Sequence, residues 1–138
     1  MKAHTDSLVA LLKTIPAFAI KTYVTIVPAG TTPTQPYLLV HPADGVDSQE
    51  RVTGPRITRH PRFTIHTVGG SYDQVSAASK AVKDKLIVSG RGVTLTVAGE
   101  KCQPVWYESP IPIQVDSDVT PPLVYHVAEV GFRSDPLP

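Results

Sequence analysis

Residues 51–66, RVTGPRITRHPRFTIH, hold four of the six arginines of the chain: Arg51, Arg56, Arg59 and Arg62. His60 and His66 lie in the same window, and no carboxylate follows Glu50 until Asp73. Guanidinium groups gathered in this way can do two kinds of chemistry. They can pair with nucleic-acid phosphates, or they can grip the carboxylates of a protein partner in two-point fashion. A solvated connection with no partner is the third reading. Phe63 is the only aromatic residue in the window, and the strand pattern assigns it to the core. The window thus lacks a stacking platform, and it lacks a recognition helix. The formal net charge of +1 offers no general basic excess either. Carboxylates for the protein reading stand elsewhere, at Asp44, Asp47, Glu50, Glu108, Asp116 and Asp118. A near-neutral chain with separated positive and negative regions suits head-to-tail self-association.

Other chemistry is sparsely represented. There is no phosphate-binding glycine loop, no GxSxG and no HExxH. The five histidines, His4, His41, His60, His66 and His126, are scattered. His60 and His66 are six apart, which is not a shared-ligand spacing on a helix or a strand. Cys102, the only cysteine, forms no internal disulfide and supports no cysteine-based zinc site. With a distant histidine it would make a formal nucleophile–base pair, but a small half-buried thiol is the simpler expectation. Asp116 and Asp118 form one carboxylate pair, short of the oxygen count that a hard cation needs. No catalytic, cofactor or metal residue is therefore expected, and the chain is not expected to be an enzyme. The interface candidates are Asp44, Asp47, Glu50, Arg51, Arg56 and Arg59.

These residues must be placed by the elements around them. Leu8, Leu11, Leu12 and Ile15 share one helical face, with Asp6 or Ser7 as the expected cap and Pro16 as the stop. AFAIKTYVTIV alternates, with Phe18, Ile20, Val24 and Ile26 on one face of an expected strand. PYLLVHP is a second strand, bounded by prolines. Residues 43–59 show no clean period of either kind and are expected to form a long polar connection. FTIHTV is the third strand. After Gly69 and Gly70, Ser71 and Gln74 read as a capping box. Val75, Ala78, Val82 and Leu86 then form the apolar stripe of a helix, which Gly90 and Gly92 close. Val93, Leu95 and Val97 alternate in a further expected strand, followed by QPVWYES and PPLVYHVAEVGFR. SPIPIQVDSDVTPP between the last two reads as an irregular excursion.

The order predicts an α+β fold in one domain spanning residues 1–138. Its expected form is a single antiparallel sheet of about four to six strands, two helices on one face and a long charged loop at about 43–59. The composition agrees: 41% hydrophobic and 18% charged residues, with 14 prolines, fit short strands joined by proline-rich loops. No run approaches the roughly 18 apolar residues of a membrane span. The N-terminal stretch is too short and too interrupted for a signal peptide, and the single cysteine leads to the expectation of a cytosolic folding compartment.

The succession PYLLVHPADG, RVTGPR and RFTIHTVGGSYDQVSAASKAVKDKLI resembles the tail terminator, or tail-completion, proteins of long-tailed bacteriophages. The likeness is one of order and spacing over residues 5–90: an N-terminal helix, a hairpin opening on a Pro-Tyr strand, a charged loop, then a strand and a glycine turn into a helix. It implies a structural role in the virion. Such proteins form a ring, typically hexameric, at the head-proximal end of the tail tube, stop tube growth and join the tail to the head. The implied partners are further copies of the chain, the tail tube protein and a head-closure or connector protein. DNA in the lumen would be a passing contact, with no membrane involved. Assembly in the host cytoplasm follows. SPIPIQVDSDVTPP has no counterpart in that pattern. This leaves open another neck or tail component, a head-closure protein or tail tube subunit, and beyond those a small nucleic-acid-binding module.

Overall fold

The computed structural model describes residues 2–19, 21–30, 33–48, 58–119 and 121–137, with the backbone alone at 44–48. Helix α1 runs Lys2–Lys13 and buries Leu8, Val9 and Leu12. It starts a turn earlier than a cap at Asp6 or Ser7 would allow. Asp6 sits inside the helix and pairs with Lys2 at 2.7 Å, while Ser7 Oγ donates to the Thr96 carbonyl at 3.0 Å. Tertiary packing holds the first turn, because His4 and Thr5 are already buried there. Pro16–Phe18 then forms a 3-10 turn that buries Phe18.

Strand β1 covers only Thr22–Val24. The expected alternating strand through Phe18 and Ile26 ends early because Thr25 takes a left-handed φ of 66°. Ile26 N then donates back to the Val24 carbonyl at 2.7 Å. β1 pairs in parallel with β2, Tyr37–Ser48, so the sheet is mixed and not wholly antiparallel. β2 and β3, Thr58–Gly69, form a long antiparallel hairpin in register from Tyr37↔Val68 to Ser48↔Thr58.

This hairpin takes in residues 43–48 and 58–59 of the expected 43–59 loop; residues 49–57 lie outside the described residues. A bulge between Ala43 and Val46 shifts the side-chain phase, which erases the sequence alternation without ending the pairing. Pro61 lies opposite that bulge, where a missing N–H is tolerated.

Helix α2, Tyr72–Leu86, buries the expected stripe of Val75, Ala78, Val82 and Leu86. Gln74 N donates to Ser71 Oγ at 3.2 Å, and Gly70 N donates to Gln74 Oε1 at 2.7 Å. The capping box therefore reaches one residue further back than usual. A two-stranded ribbon follows, β4 (Ile87–Val88) and β5 (Arg91–Gly92). Residues 93–97 form no ladder, although Leu95 and Val97 are buried as their alternation requires. Gly92 lies against the Val105 backbone so closely that a side chain has no room.

The remaining strands are β6 (Glu100–Cys102), β7 (Trp106–Glu108), β8 (Gln114–Asp116), β9 (Leu123–Gly131) and β10 (Ser134–Pro136). β8 lies within the expected irregular excursion and pairs with β9. β9 and β10 both pair with β3. β7 and β8 lie on the far edge of β9, and β6 on the far edge of β10. The described residues thus hold one eight-stranded sheet and one small ribbon, more strands than expected, in an α+β fold. Leu8, Leu12, Val82 and Leu86 pack on Leu38, Val40, Phe63, Ile65, Ala128 and Val130 in one core. The alternate residues of the same strands form an opposite face, which neither helix covers.

Candidate assembly surface

The uncovered face has two distinct ends. At the end nearer the hairpin tip, the Arg62 guanidinium lies 5.4 Å from the centroid of the Trp106 ring. Its Nη2 is 3.1 Å from Glu129 Oε2. Gly131 makes this possible: a Cβ there would come within 2.5 Å of the indole. Trp106 remains 40% exposed, and with His60, Pro61, Arg62 and Glu108 it borders a hollow of about 450 Å³.

At the other end, a groove of about 500 Å³ is floored by Tyr37, Leu39, Val68, Leu123 and Tyr125. Val115, Asp116, Ser117 and Asp118 form its wall. The backbone N–H of Asp118 donates to Asp116 Oδ1 at 3.1 Å, which fixes the turn that presents both carboxylates. His66 contributes to the floor and contacts His41 edge-on at 4.8 Å. Burial, and then the neighbouring His41, pushes the His66 pKa down. Burial and the nearby Tyr23 push the Tyr37 pKa up. The groove therefore joins aromatic and aliphatic surface to two acids, a lining suited to cationic side chains with apolar stems.

A second polar group lies on the core side, beside the Ser48↔Thr58 end of the hairpin, where Ser134 pairs with Arg59. Ser134 Oγ donates to Glu100 Oε2 at 3.0 Å and is 3.0 Å from His4 Nε2. Since the serine proton is directed to Glu100, His4 donates through Nε2. Its Nδ1 then has no partner among the described residues. The carboxylate thus bonds the serine and not the imidazole, unlike a nucleophile–base arrangement. Ser134 is fully buried. Cys102 Sγ lies 3.7 Å from the same hydroxyl, and burial raises its pKa. The thiol's partner is a serine, so the formal cysteine–histidine pair does not form.

Of the interface candidates, Arg59 is on β3 opposite Asp47 of β2, so the register brings these two positions together. Arg59 Nη1 is 3.8 Å from Glu100 Oε1, and its side chain is 47% exposed. Asp44 falls in the bulge between Ala43 and Val46. Glu50, Arg51 and Arg56 lie outside the described residues. Sequence reasoning missed the Arg62–Trp106–Glu129 group and the groove. Both depend on register between β3, β7, β8 and β9, which no spacing in the chain announces. The described residues contain no group of three potential metal ligands. None of their helices is long and apolar enough to cross a membrane.

Fold and surface together define a class: an α+β chain whose distinctive features are a long hairpin and an uncovered sheet face. No protein-family model and no curated protein matches the chain. Among solved structures, it is similar to a chain of a particle described as "Virion of native gene transfer agent (GTA) particle". The TM-score is 0.61 over 91% of this chain and 85% of that one, at 16% identity. At this identity the likeness is one of fold.

Proposed function

We propose that the chain is a structural protein of a tailed virion and works as a tail terminator. In this reading, several copies, six in the usual arrangement, close into a ring on the head-proximal end of the tail tube. One face of the ring meets the tube protein and stops its growth. The other receives a head-closure or connector protein. The chain acts as an assembly part and not as an enzyme, and it is put together in the host cytoplasm.

The observation that carries this reading is the whole-chain fold likeness to a virion component, at TM-score 0.61 over 91% of the residues. The order of elements that resembles tail terminators supports the finer assignment. The long β2–β3 hairpin and the uncovered sheet face supply surfaces for contacts between subunits. The arginines of residues 51–62 are read first as assembly residues, with DNA in the lumen as a secondary contact.

The test is electron microscopy of the purified protein mixed with its cognate tail tubes. Rings capping one end, with tube length fixed from then on, are expected. Binding only to the head-side connector would reassign the chain as a head-closure protein. Co-polymerisation along the tube would make it a tube subunit. Failure to bind any of these would overturn the virion reading.

A further inference from the structure

We infer that His41 and His66 form a two-imidazole site for a divalent transition cation, of the Zn²⁺, Ni²⁺ or Cu²⁺ type, on the uncovered sheet face. The inference goes beyond the tail terminator reading and does not depend on it. Register is the first argument. His41 lies opposite Thr64, and His66 opposite Leu39. The two histidines therefore occupy a diagonal of the β2–β3 ladder, where aromatic side chains can reach one another. Their ring centroids are 4.8 Å apart, with the planes inclined at 61°. A shared cation with metal–nitrogen bonds of about 2.0–2.1 Å needs its two nitrogens roughly 3–4 Å apart. The outer torsion of histidine is soft. Both rings can thus turn a nitrogen to that separation while the paired strands hold their Cβ atoms in place.

Availability is the second argument. Both rings are half-buried, and neither forms a hydrogen bond with a described residue. Among the described residues, the buried ring nitrogens without a partner are Nδ1 of His4 and Nδ1 of His126. The nitrogens of His41 and His66 therefore stay open to a ligand from solvent. The surroundings are the third argument. His66 belongs to the groove whose wall carries Asp116 and Asp118, and no lysine or arginine lines that groove. Arg62, on the same sheet face, is already paired with Glu129. The Tyr125 ring, 6.0 Å from His66, closes the side toward β9. The carboxylates favour a cation through space and are not its ligands, since no group of three candidate ligands forms among the described residues. Water fills the remaining coordination positions. Imidazole suits zinc, nickel and copper, whereas Ca²⁺ and Mg²⁺ ask for several oxygen ligands.

Calorimetric titration of the untagged full chain with Zn²⁺ tests this, with Mg²⁺ as the control cation. Zn²⁺ should bind more tightly than it binds free imidazole measured alongside, and Mg²⁺ should not bind. His41→Gln and His66→Gln, checked for folding by circular dichroism, should each weaken Zn²⁺ binding at least about tenfold, because a second tethered ligand multiplies affinity through its effective concentration. If either variant fails to fold, imidazole NMR of the wild-type chain decides. Zn²⁺ should then shift the ring signals of His41 and His66 and leave those of His4, His60 and His126 in place. Zn²⁺ binding no tighter than to free imidazole would overturn the inference. So would variants that bind like wild type, or Zn²⁺-induced shifts confined to other histidines. In all these cases the tail terminator reading is decided separately, by binding to tube ends.

Discussion

At the scale of single residues, the pH response follows from three histidines. His4, His66 and His126 all have pKa values lowered from 6.5, with burial as the largest cause in each. At His4, the nearby Glu100 opposes the shift, and Arg59 and the chain N-terminus add to it. A lowered pKa means that the unfolded chain binds protons more readily than the folded one. Stability is therefore full above the unfolded value of 6.5. It falls as the pH drops from there toward the folded values, where the loss levels off. Thermal melts should show a lower Tm at about pH 5 than at about pH 7.5. His4→Gln removes one of the three titrations and keeps an N–H donor for Ser134. It should flatten part of that dependence. An unchanged slope would mean that His4 takes up its proton as readily folded as unfolded.

At the scale of elements, the cap of α2 is the clearest case of sequence dictating structure. Ser71→Ala removes the acceptor for Gln74 N and should cost about 1 kcal/mol, visible as a Tm lower by a few degrees. This helix was legible because its stripe and its cap agree; the expected glycine stop does not hold, since the helix ends at Leu86 on an extended Ile87, and Gly90 and Gly92 lie in the ribbon beyond it. β1 was misread because Thr25 turns the chain in a conformation that composition does not encode. Residues 93–97 alternate because alternate side chains enter the core, and alternation reports burial without reporting a paired neighbour. Residues 43–48 and 58–59 were misread for the opposite reason: pairing persists where the bulge breaks the period. For the site, the composition of the arginine segment was visible in the chain. The groove was not, because its lining comes from β2, β3, β8 and β9 and exists only once they are in register.

At the scale of the whole molecule, stability and assembly should separate. Changing Arg51, Arg56 and Arg59 together to Ser is expected to leave the melting temperature nearly unchanged. Exposed substitutions outside the core usually cost under about 0.5 kcal/mol each. The Arg59–Glu100 pair is long, at 3.8 Å, and its arginine is half-exposed, so its loss adds little. Interface arginines that are paired and desolvated can cost more than about 1 kcal/mol apiece. Ring formation or joining to the tube, followed by sedimentation and microscopy, should therefore weaken while the fold persists. A triple variant that unfolds would place these residues in the support of the hairpin. One that assembles normally would put the interface elsewhere.

The strand order also has a consequence for synthesis. β9 and β10, made last among the elements, occupy the middle of the sheet, between β3 on one side and β6, β7 and β8 on the other. On the ribosome, the β2–β3 hairpin and α2 emerge with the inner edge of β3 bare. β6, β7 and β8 follow with no strand to join. The sheet can close only when residues 123–136 have been translated, after every strand that they join. During that interval the free edge of β3 can pair with the same edge of another nascent copy. How often that happens depends on how quickly each chain is finished relative to how often two unfinished ones meet.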